Sequence, residues 1–360
     1  MNSIFIPYLE KIEWSIANAL PETAHVHWQE ASFGVLPDCI TEDTFKPLVQ
    51  PTRSLIDLGG KRWRPLFLVL CAEAYAEMRG ILVSETAYHL TPLVEFVHTA
   101  SLIHDDIEDS SETRRNQPSA YITYGLDVAI NAGSWLYFEA PVCIDTLDVP
   151  AETKLELYKI YSQELRRLHL GQAMDIAWHR DTDFCPTEEQ YLAMVKNKTG
   201  TLASLAAKIG LSTANAPQDV YDRCGVIASE IGAGFQIIDD VINLTTGNPG
   251  KKRGDDIVEN KKSLPVIMFA QKYGTASAEF KELTVHFAQA RKDGIDSPSV
   301  ESAIHLLDQS ECIENAKTRG VQFIQDSCNA IKNLFGADNK TAEKIRTLFT
   351  AMIPESIIKA

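Results

Sequence analysis

The sequence predicts an all-α protein. Three observations carry this: apolar residues recur with helical period along most of the chain, period-two strand alternation is nearly absent, and turn residues fall between the periodic stretches. Helical periodicity covers Leu66–Met78, Ala87–Asp109, Leu126–Ile144, Thr153–Trp178, Glu188–Ile209, Val220–Leu244 and Val300–Leu334. Breaks fall at Gly59-Gly60, Asn116-Gln117-Pro118, Cys185-Pro186-Thr187, Ala214–Gln218 and along Thr245–Gly254, which holds Gly247, Pro249 and Gly250. Thr187 followed by Gln190 fits a capping box that opens the next helix. No internal repeat or long linker divides the chain. A single domain over residues 1–360 is therefore expected, with 1–58 as an N-terminal helix and an irregular segment.

Composition narrows the function. Of 360 residues, 45% are hydrophobic, ample for a sizeable core, and no stretch has a disordered composition. No apolar run reaches the ~18 residues of a membrane span, so no integral membrane segment is expected. The start, MNSIFIPYLEKIEWSI, lacks the basic-then-apolar pattern of a secretory signal. Seven cysteines, at 39, 71, 143, 185, 224, 312 and 328, are odd in number and unclustered, which suggests free thiols in a reducing cytoplasm. A net charge of −15 argues against nucleic acid or an anionic membrane as main partner. It leaves an anionic substrate open, because local cations and bound metals reverse the field where a ligand sits.

Two acidic strings stand out, DDIED at Asp105–Asp109 and DDVIN at Asp239–Asn243. On a helix Asp105 and Asp109 project from one face, where clustered carboxylates repel unless a cation joins them. Hard oxygen ligands without a Cys or His pattern point to Mg²⁺ rather than zinc. Either string alone also reads as a solvated acidic helix face.

Five further segments surround the strings. Gly59-Gly60-Lys61-Arg62-Trp63-Arg64-Pro65 combines close backbone approach with Lys61 and Arg64 on one side of the following helix. His98 lies two turns before Asp105; a lone histidine there also reads as a core residue. Arg114-Arg115 follows the first string, either as ordinary ion pairs or as two forks aimed at phosphate oxygens. Gln172–Asp175 with Lys198-Thr199 forms the fourth. The fifth is Lys251–Gly254 with Asp256, Glu259 and Lys261, placed as a phosphate-covering flap would be.

Together these motifs resemble the trans-isoprenyl diphosphate synthase, or polyprenyl synthetase, family. The resemblance runs from about Gly59 to at least Pro265 through GGKRWRP, EFVHTASLIHDDIEDSSETRR, GQAMD, KNKTG, GFQIIDDVIN and GKKRGDDIVENKKSLP, in family order. It implies an isoprenoid synthase-type helical bundle around a central cavity, acting as a prenyltransferase on an allylic diphosphate and isopentenyl diphosphate. It further implies three Mg²⁺ ions, with Asp105 and Asp109 bridging two, Asp239 holding a third, and Asp106, Asp175 and Asp240 in support. Arg114, Lys198 and Lys261 would contact the allylic diphosphate, with Lys251 closing over it and Gln172 beside it. Lys61, Arg64, His98 and Arg115 would form the isopentenyl diphosphate pocket, with Gly60 allowing close approach. Thr199 and Gln236 would line the point where the allylic cation forms. A homodimer is also implied.

The chain departs from the family pattern at Asn243, Ser134 and Ser263, where relatives commonly carry Asp, Asp and Thr. DDxxN resembles the enzymes that make twenty-carbon geranylgeranyl diphosphate. Product length is expected to follow the depth available beside the first acidic helix, about one isoprene unit per helical turn of about 5.4 Å. Family members that stop at fifteen carbons carry bulky aromatics at the positions matching Ala100 and Ser101. Both are small here, and Val97 lies deeper, so products of at least twenty carbons are expected. Trp135 and Phe138 are candidate floors, although aromatics there also read as ordinary core. A terpene cyclase shares the scaffold but has no use for a second basic pocket. A non-catalytic partner subunit would tolerate loss of Asp105, Asp109 and Asp239, all of which are present.

Overall fold

The computed structural model describes residues 3–82, 85–182, 184–247 and 252–358. In chain order its α-helices are α1 (Ile6–Ala19), α2 (Val26–Phe33), α3 (Glu42–Ile56), α4 (Trp63–Arg79), α5 (Thr86–His89), α6 (Thr91–Glu108) and α7 (Ala120–Tyr124). Then come α8 (Leu126–Glu139), α9 (Val142–Asp145), α10 (Ala151–Arg180), α11 (Glu188–Val195), α12 (Thr201–Thr213) and α13 (Gln218–Thr245). The last are α14 (Asp255–Val258), α15 (Leu264–Tyr273), α16 (Ala278–Asp293), α17 (Pro298–Gln309), α18 (Cys312–Phe335), α19 (Lys340–Thr350) and α20 (Glu355–Ile358). Among the described residues the only strands are β1 (Thr113–Arg114) and β2 (Gln117–Pro118), an antiparallel hairpin. The all-α expectation holds.

The chain forms two compact units. The first comprises Met1–Glu164, Leu202–Gly225 and Lys332–Leu348; the second comprises Leu165–Thr201, Val226–Ile331 and Phe349–Ala360. In the first unit α6 packs between α4 and α8, α1 lies against α4 and α6, and α3 lies against α8. Helix α6 is buried on most of its circumference, including Leu93, Val94, Phe96, Val97, Ala100 and Ile103. In the second unit α15, α16 and α17 pack on one another, with α11 against α15 and α14 against α16.

Local chemistry sets the boundaries. The Thr187 hydroxyl accepts the Gln190 N–H at 3.2 Å while the Gln190 side chain accepts the Thr187 N–H at 2.9 Å, closing the capping box at the start of α11. Four stretches that read as continuous helices are interrupted. Pro92 opens α6 and separates it from α5, since it has no N–H to continue an earlier turn. Pro141 likewise separates α8 from α9. Glu311 adopts a left-handed conformation (φ 61°), which ends α17 and lets α18 leave in a new direction. Between α11 and α12 the run Lys196–Gly200 widens into one π-helical turn.

Residues 3–56 hold a short 3₁₀ turn (Ser3–Phe5) and three α-helices rather than one helix and an irregular segment. Helix α2 has little amphipathic pattern. It is held instead by a histidine cap, His25 Nδ1 accepting the Trp28 N–H at 3.2 Å, and by Trp28 packing edge-on against Phe33, Phe45 and Trp135. Helix α3 tolerates Pro47 and Pro51 because its Phe45, Val49, Leu55 and Ile56 side chains are buried. Tertiary burial overrides propensity in both cases.

Beside Trp28 lies a buried acid. Glu139, 3% exposed, accepts a hydrogen bond from Ser32 Oγ at 2.7 Å, and burial pushes its carboxyl up to about 7. Its folded value lies above its ordinary 4.5. The unfolded chain therefore ionises first, and stability is lost as pH rises from that ordinary value through about 7. Glu139→Gln keeps the acceptor for Ser32 and removes the titration. It is expected to match wild type near pH 4 and to be more stable by roughly 1–3 kcal/mol at pH 8. Urea unfolding at the two pH values checks this.

Candidate active site

Helix α6 ends in a concentration of negative charge. Asp105, Asp106 and Glu108 occupy its last turn, Asp109 is its C-cap, and no basic residue is in that turn. The negative end of a helix dipole disfavours carboxylates, so this end calls for cations. The chain returns one of them. After the helix it folds into the β1–β2 hairpin, whose turn residues Arg115 and Asn116 both have positive φ (52° and 63°). The tight turn sends the two adjacent arginines to different places.

Arg114 reaches back to α6, its Nε donating to Asp106 Oδ1 at 2.8 Å and its Nη2 lying 3.4 Å from Asp105 Oδ2. Burial opposes the Arg114 charge, yet Asp106, Asp105 and Asp109 hold the guanidinium firmly protonated. Asp106 is 2% exposed and satisfied by this bond, whereas Asp105 and Asp109 keep part of their surface open. Two hard oxygen donors one turn apart, at a helix end that favours positive charge, fit Mg²⁺. Among the described residues no three ligating side chains converge, so such an ion would draw its other oxygens from elsewhere, as a diphosphate provides.

Arg115 goes to the glycine turn. Its guanidinium donates to the Gly59 carbonyl and lies 3.4 Å from the Leu55 carbonyl. A β-carbon on Gly60, whose φ is +156°, would stand 3.2 Å from Arg115 Nη2, so a side chain here would crowd the arginine. Arg64 Nη1 donates to His98 Nε2 at 3.3 Å, which requires that nitrogen to be unprotonated. Burial and the charges of Arg64, Arg115, Arg114 and Arg62 hold His98 well below the ordinary histidine range, so it is neutral at pH 7. Arg64, His98, Arg115 and Gly60 are thus gathered in one unit. Lys61 is exposed and precedes α4 rather than riding on it, because the helix begins only at Trp63.

The second unit gathers the other predicted residues. Lys198 and Thr199 sit on the π turn. Gly171 of GQAMD permits the close approach of α10 to this turn, since a β-carbon there would collide with the Lys198 backbone N. Lys198 Nζ pairs with Asp175 Oδ2 at 2.5 Å, and Gln172 lies one turn before Asp175 on α10. Burial works against the Asp175 charge, but Lys198, Lys261 and His179 keep its carboxyl below the ordinary range.

A hydrogen-bonded chain continues from Thr199. Its Oγ1 donates to Gln236 Oε1 at 2.9 Å, Gln236 Nε2 donates to Asp240 Oδ1 at 3.0 Å, and the Tyr191 hydroxyl donates to Asp240 Oδ2 at 2.7 Å. Asp240 is buried, and burial raises its carboxyl despite these donors and the charge of Lys261. Asp239 next to it is exposed. Lys261 Nζ pairs with Glu259 Oε2 at 2.6 Å. Lys251 lies outside the described residues.

Asn243 turns out to hold backbone. It is 1% exposed, its Oδ1 accepts the Asp256 N–H at 3.3 Å, and its own carbonyl accepts the Gly254 N–H at 2.9 Å. Its Nδ2 is buried without a hydrogen-bond partner among the described residues. The side chain thereby fixes the start of α14 and, through it, Asp256 and Lys261, whose N–H donates to the Asp256 carbonyl at 2.8 Å.

Of the residues expected to govern product length, Val97 and Ala100 are fully buried, and Ser101 donates its hydroxyl to the His98 carbonyl at 2.8 Å. Trp135 stacks on Phe33, and Phe138 is 79% exposed. Sequence reasoning passed over two side chains beside this column. His104 and Tyr137 stack with ring centroids 5.7 Å apart, and His104 Nε2 lies 3.2 Å from Ser134 Oγ. Tyr191 was missed as well; its position in an apolar helix gives no sign that its hydroxyl is needed by Asp240.

Comparison with known proteins gives the family. Residues 45–297 match the family described as polyprenyl synthetase, and the chain belongs to that family. It is a prenyltransferase, acting on an allylic diphosphate and isopentenyl diphosphate. A geranylgeranyl diphosphate synthase of Methanosarcina mazei is 30% identical over 324 residues, 88% of this chain and 91% of that one. A geranylgeranyl pyrophosphate synthase of Macrophomina phaseolina is 33% identical over 247 residues, 68% of this chain and 71% of its own length. The crystal structure of geranylgeranyl pyrophosphate synthetase from Pyrococcus horikoshii shares the fold, with a TM-score of 0.77, 24% identity and 98% of each chain covered.

The Asn243 geometry yields a prediction. Asn243→Asp places a carboxylate where 1% of the side chain is exposed. It is expected to cost roughly 1–3 kcal/mol of stability at pH 7.5, a loss that shrinks as pH falls through the carboxyl range. Urea unfolding as a function of pH measures it.

Proposed function

We propose that this prenyltransferase makes an all-trans polyprenyl diphosphate of twenty carbons or more, with geranylgeranyl diphosphate the best single product. The observation that carries the reading is the division of labour around α6. Arg114 joins the carboxylates at its end, while Arg64, His98 and Arg115 form a separate basic group with no metal-ligating carboxylate in it. The relatives from Methanosarcina mazei and Macrophomina phaseolina are both named as geranylgeranyl diphosphate (pyrophosphate) synthases, which supports the product length.

The roles follow from charge. Asp105, Asp109 and Asp239 would hold magnesium ions, expected to be three with the diphosphate bound, and Asp106, Asp175 and Asp240 would act from behind, each already engaged by Arg114, Lys198 or Tyr191. Bound Mg²⁺ supplies the positive charge that makes the allylic diphosphate a competent leaving group. Arg114, Lys198 and Lys261 bind that diphosphate, with Gln172 and Lys251 as further contacts. Lys61, Arg64, His98 and Arg115 bind isopentenyl diphosphate beside the open backbone of Gly60. Neutral His98, its Nε2 accepting from Arg64, keeps its proton on Nδ1 and can donate from there without adding a charge.

Thr199 and Gln236 present fixed oxygen dipoles to the allylic cation, because the Gln236 amide is oriented from both ends. The allylic C–O bond ionises, the alkene of isopentenyl diphosphate forms the new C–C bond, and the adduct loses a proton to the departing diphosphate. The small residues Ala100 and Ser101 leave room for the growing tail beside α6, with Val97 and Trp135 setting how far it extends; Phe138, 79% exposed, is not such a floor.

A homodimer is part of this reading. Leu126 and Ile130 lie one turn apart on α8, Phe138 further along it, and Ile122 on the short α7 that precedes it. All four are exposed, which suits a second copy of the chain. The cytoplasm suits the scattered thiols, and among the described residues no helix is long and apolar enough to cross a membrane.

Purified protein supplied with Mg²⁺, isopentenyl diphosphate and each allylic primer is expected to yield products of at least twenty carbons on chromatography. A fifteen-carbon end product would overturn the length assignment. Asp105→Ala is expected to lower turnover at least on the order of 10²–10³-fold, and Ser101→Phe to shorten the product to fifteen carbons with turnover kept. Phe138→Glu is expected to shift a dimer toward monomer in sedimentation velocity.

A further inference from the structure

We infer that Arg62, held by Glu13 and Glu95, is a positioning residue for the isopentenyl diphosphate pocket, so that the N-terminal helix α1 takes part in substrate selection. The inference rests on the assignment of Lys61, Arg64, His98 and Arg115 to that pocket.

Arg62 lies in the chain between Lys61 and Arg64, yet its side chain is turned into the protein. Its side chain is 3% exposed, and its donors are directed into the protein. Nη1 donates to Glu95 Oε1 at 2.7 Å, Nε to Glu13 Oε1 at 2.8 Å, and Nη2 to the Ile56 carbonyl at 2.7 Å and to Glu13 Oε2 at 3.3 Å. A guanidinium fork used this way fixes three separate pieces of chain at once: α1 through Glu13, the end of α3 through Ile56, and α6 through Glu95.

The backbone explains why such an anchor is needed. Gly59, Gly60 and Arg62 all have positive φ, 71°, 156° and 45°. A non-glycine residue in the left-handed region is unfavourable by itself and persists where the surroundings hold it. Here the buried guanidinium does so. The Arg62 carbonyl then accepts the Leu66 N–H at 3.0 Å and starts α4, which fixes the direction of Arg64.

Two rungs result between α4 and α6. Arg62 meets Glu95, and Arg64 meets His98 one turn further along α6. Glu95 also offsets a concentration of like charge. Arg62, Arg64, Arg114 and Arg115 all act on His98, and Arg115 feels both the attraction of Glu95 and the repulsion of Arg62. Without the two glutamates, Arg62 would compete for the space and the anions that Arg64 and Arg115 are set to bind. Arg62 is therefore a strut rather than a substrate ligand, and α1, whose sequence carries no chemical motif, supplies its outer support.

The test combines metal-free calorimetric binding of isopentenyl diphosphate with steady-state kinetics for Glu13→Gln, Arg62→Lys and Arg62→Gly. Glu13 is half exposed in its side chain, so Glu13→Gln is expected to fold normally. Glycine accepts the left-handed backbone but lacks the fork, and lysine keeps the charge but not the fork. All three are expected to weaken isopentenyl diphosphate binding and raise its KM by about tenfold, with the allylic KM within about twofold of wild type. Wild-type affinity in Arg62→Gly would overturn the proposal, since only the turn would then matter. Equal losses for both substrates, or a lowered unfolding midpoint with unchanged binding, would also overturn it as a merely structural role. Wild-type protein that binds isopentenyl diphosphate without turning it over would sink the proposed function while leaving the strut intact. Wild-type protein that does not bind it at all would sink both.

Discussion

The charge carried by α6 is the constraint on which the first unit depends. This helix is buried along most of its length, yet it carries Glu95, His98, Asp105, Asp106 and Asp109. Each of these needs a partner that does not come from the helix itself, since neighbours of opposite charge are absent from its last turn. The chain answers by turning back twice. Before α6, the glycine turn brings Arg62 to Glu95 and Arg64 to His98. After it, the hairpin brings Arg114 to Asp106. Removing the pairing would leave buried charges unpaired, a larger penalty than any single surface contact could offset.

The second unit solves a similar problem with neutral donors. Asp240 is fully surrounded and is met by the Tyr191 hydroxyl, the Gln236 amide and the Leu264 N–H. Such a network is stable only when every member is satisfied, so it also fixes Gln236 and, through it, Thr199. The π turn that carries Lys198 and Thr199 is a local departure from helical geometry, close to the Lys198–Asp175 pair. Departures of this kind concentrate where side chains must be aimed. Asn243 adds a further fixed point by tying α14 to α13 through backbone hydrogen bonds.

Much of the fold was legible because long helices announce themselves by period. The capping box at Thr187 was legible because it needs only two residues three apart. The breaks at Pro141 and Glu311 and the widening at Lys196–Gly200 were less so, because helical periodicity continues through them. Helices α2 and α3 were hidden for the opposite reason: one lacks a stripe and the other contains prolines, and both are held by packing against distant residues. In the candidate site, Arg64, His98, Arg114 and Arg115 could be picked out by residue type and spacing. The division of Arg114 from Arg115, which the family resemblance implied, takes its physical form from the positive φ of Arg115 and Asn116.

The sequence by itself determined the helical class, the family, and the residue types the chemistry requires, because these depend on period, composition and motif order along one chain. The tertiary structure decided which charges meet and which are buried. It made Asn243 a backbone anchor, set Trp135 against Phe33, brought Tyr191 to Asp240, and made Arg62 and Glu13 a support for the basic pocket. Those outcomes rest on contacts between residues far apart in the chain, where burial multiplies the strength of each hydrogen bond and no spacing rule reaches.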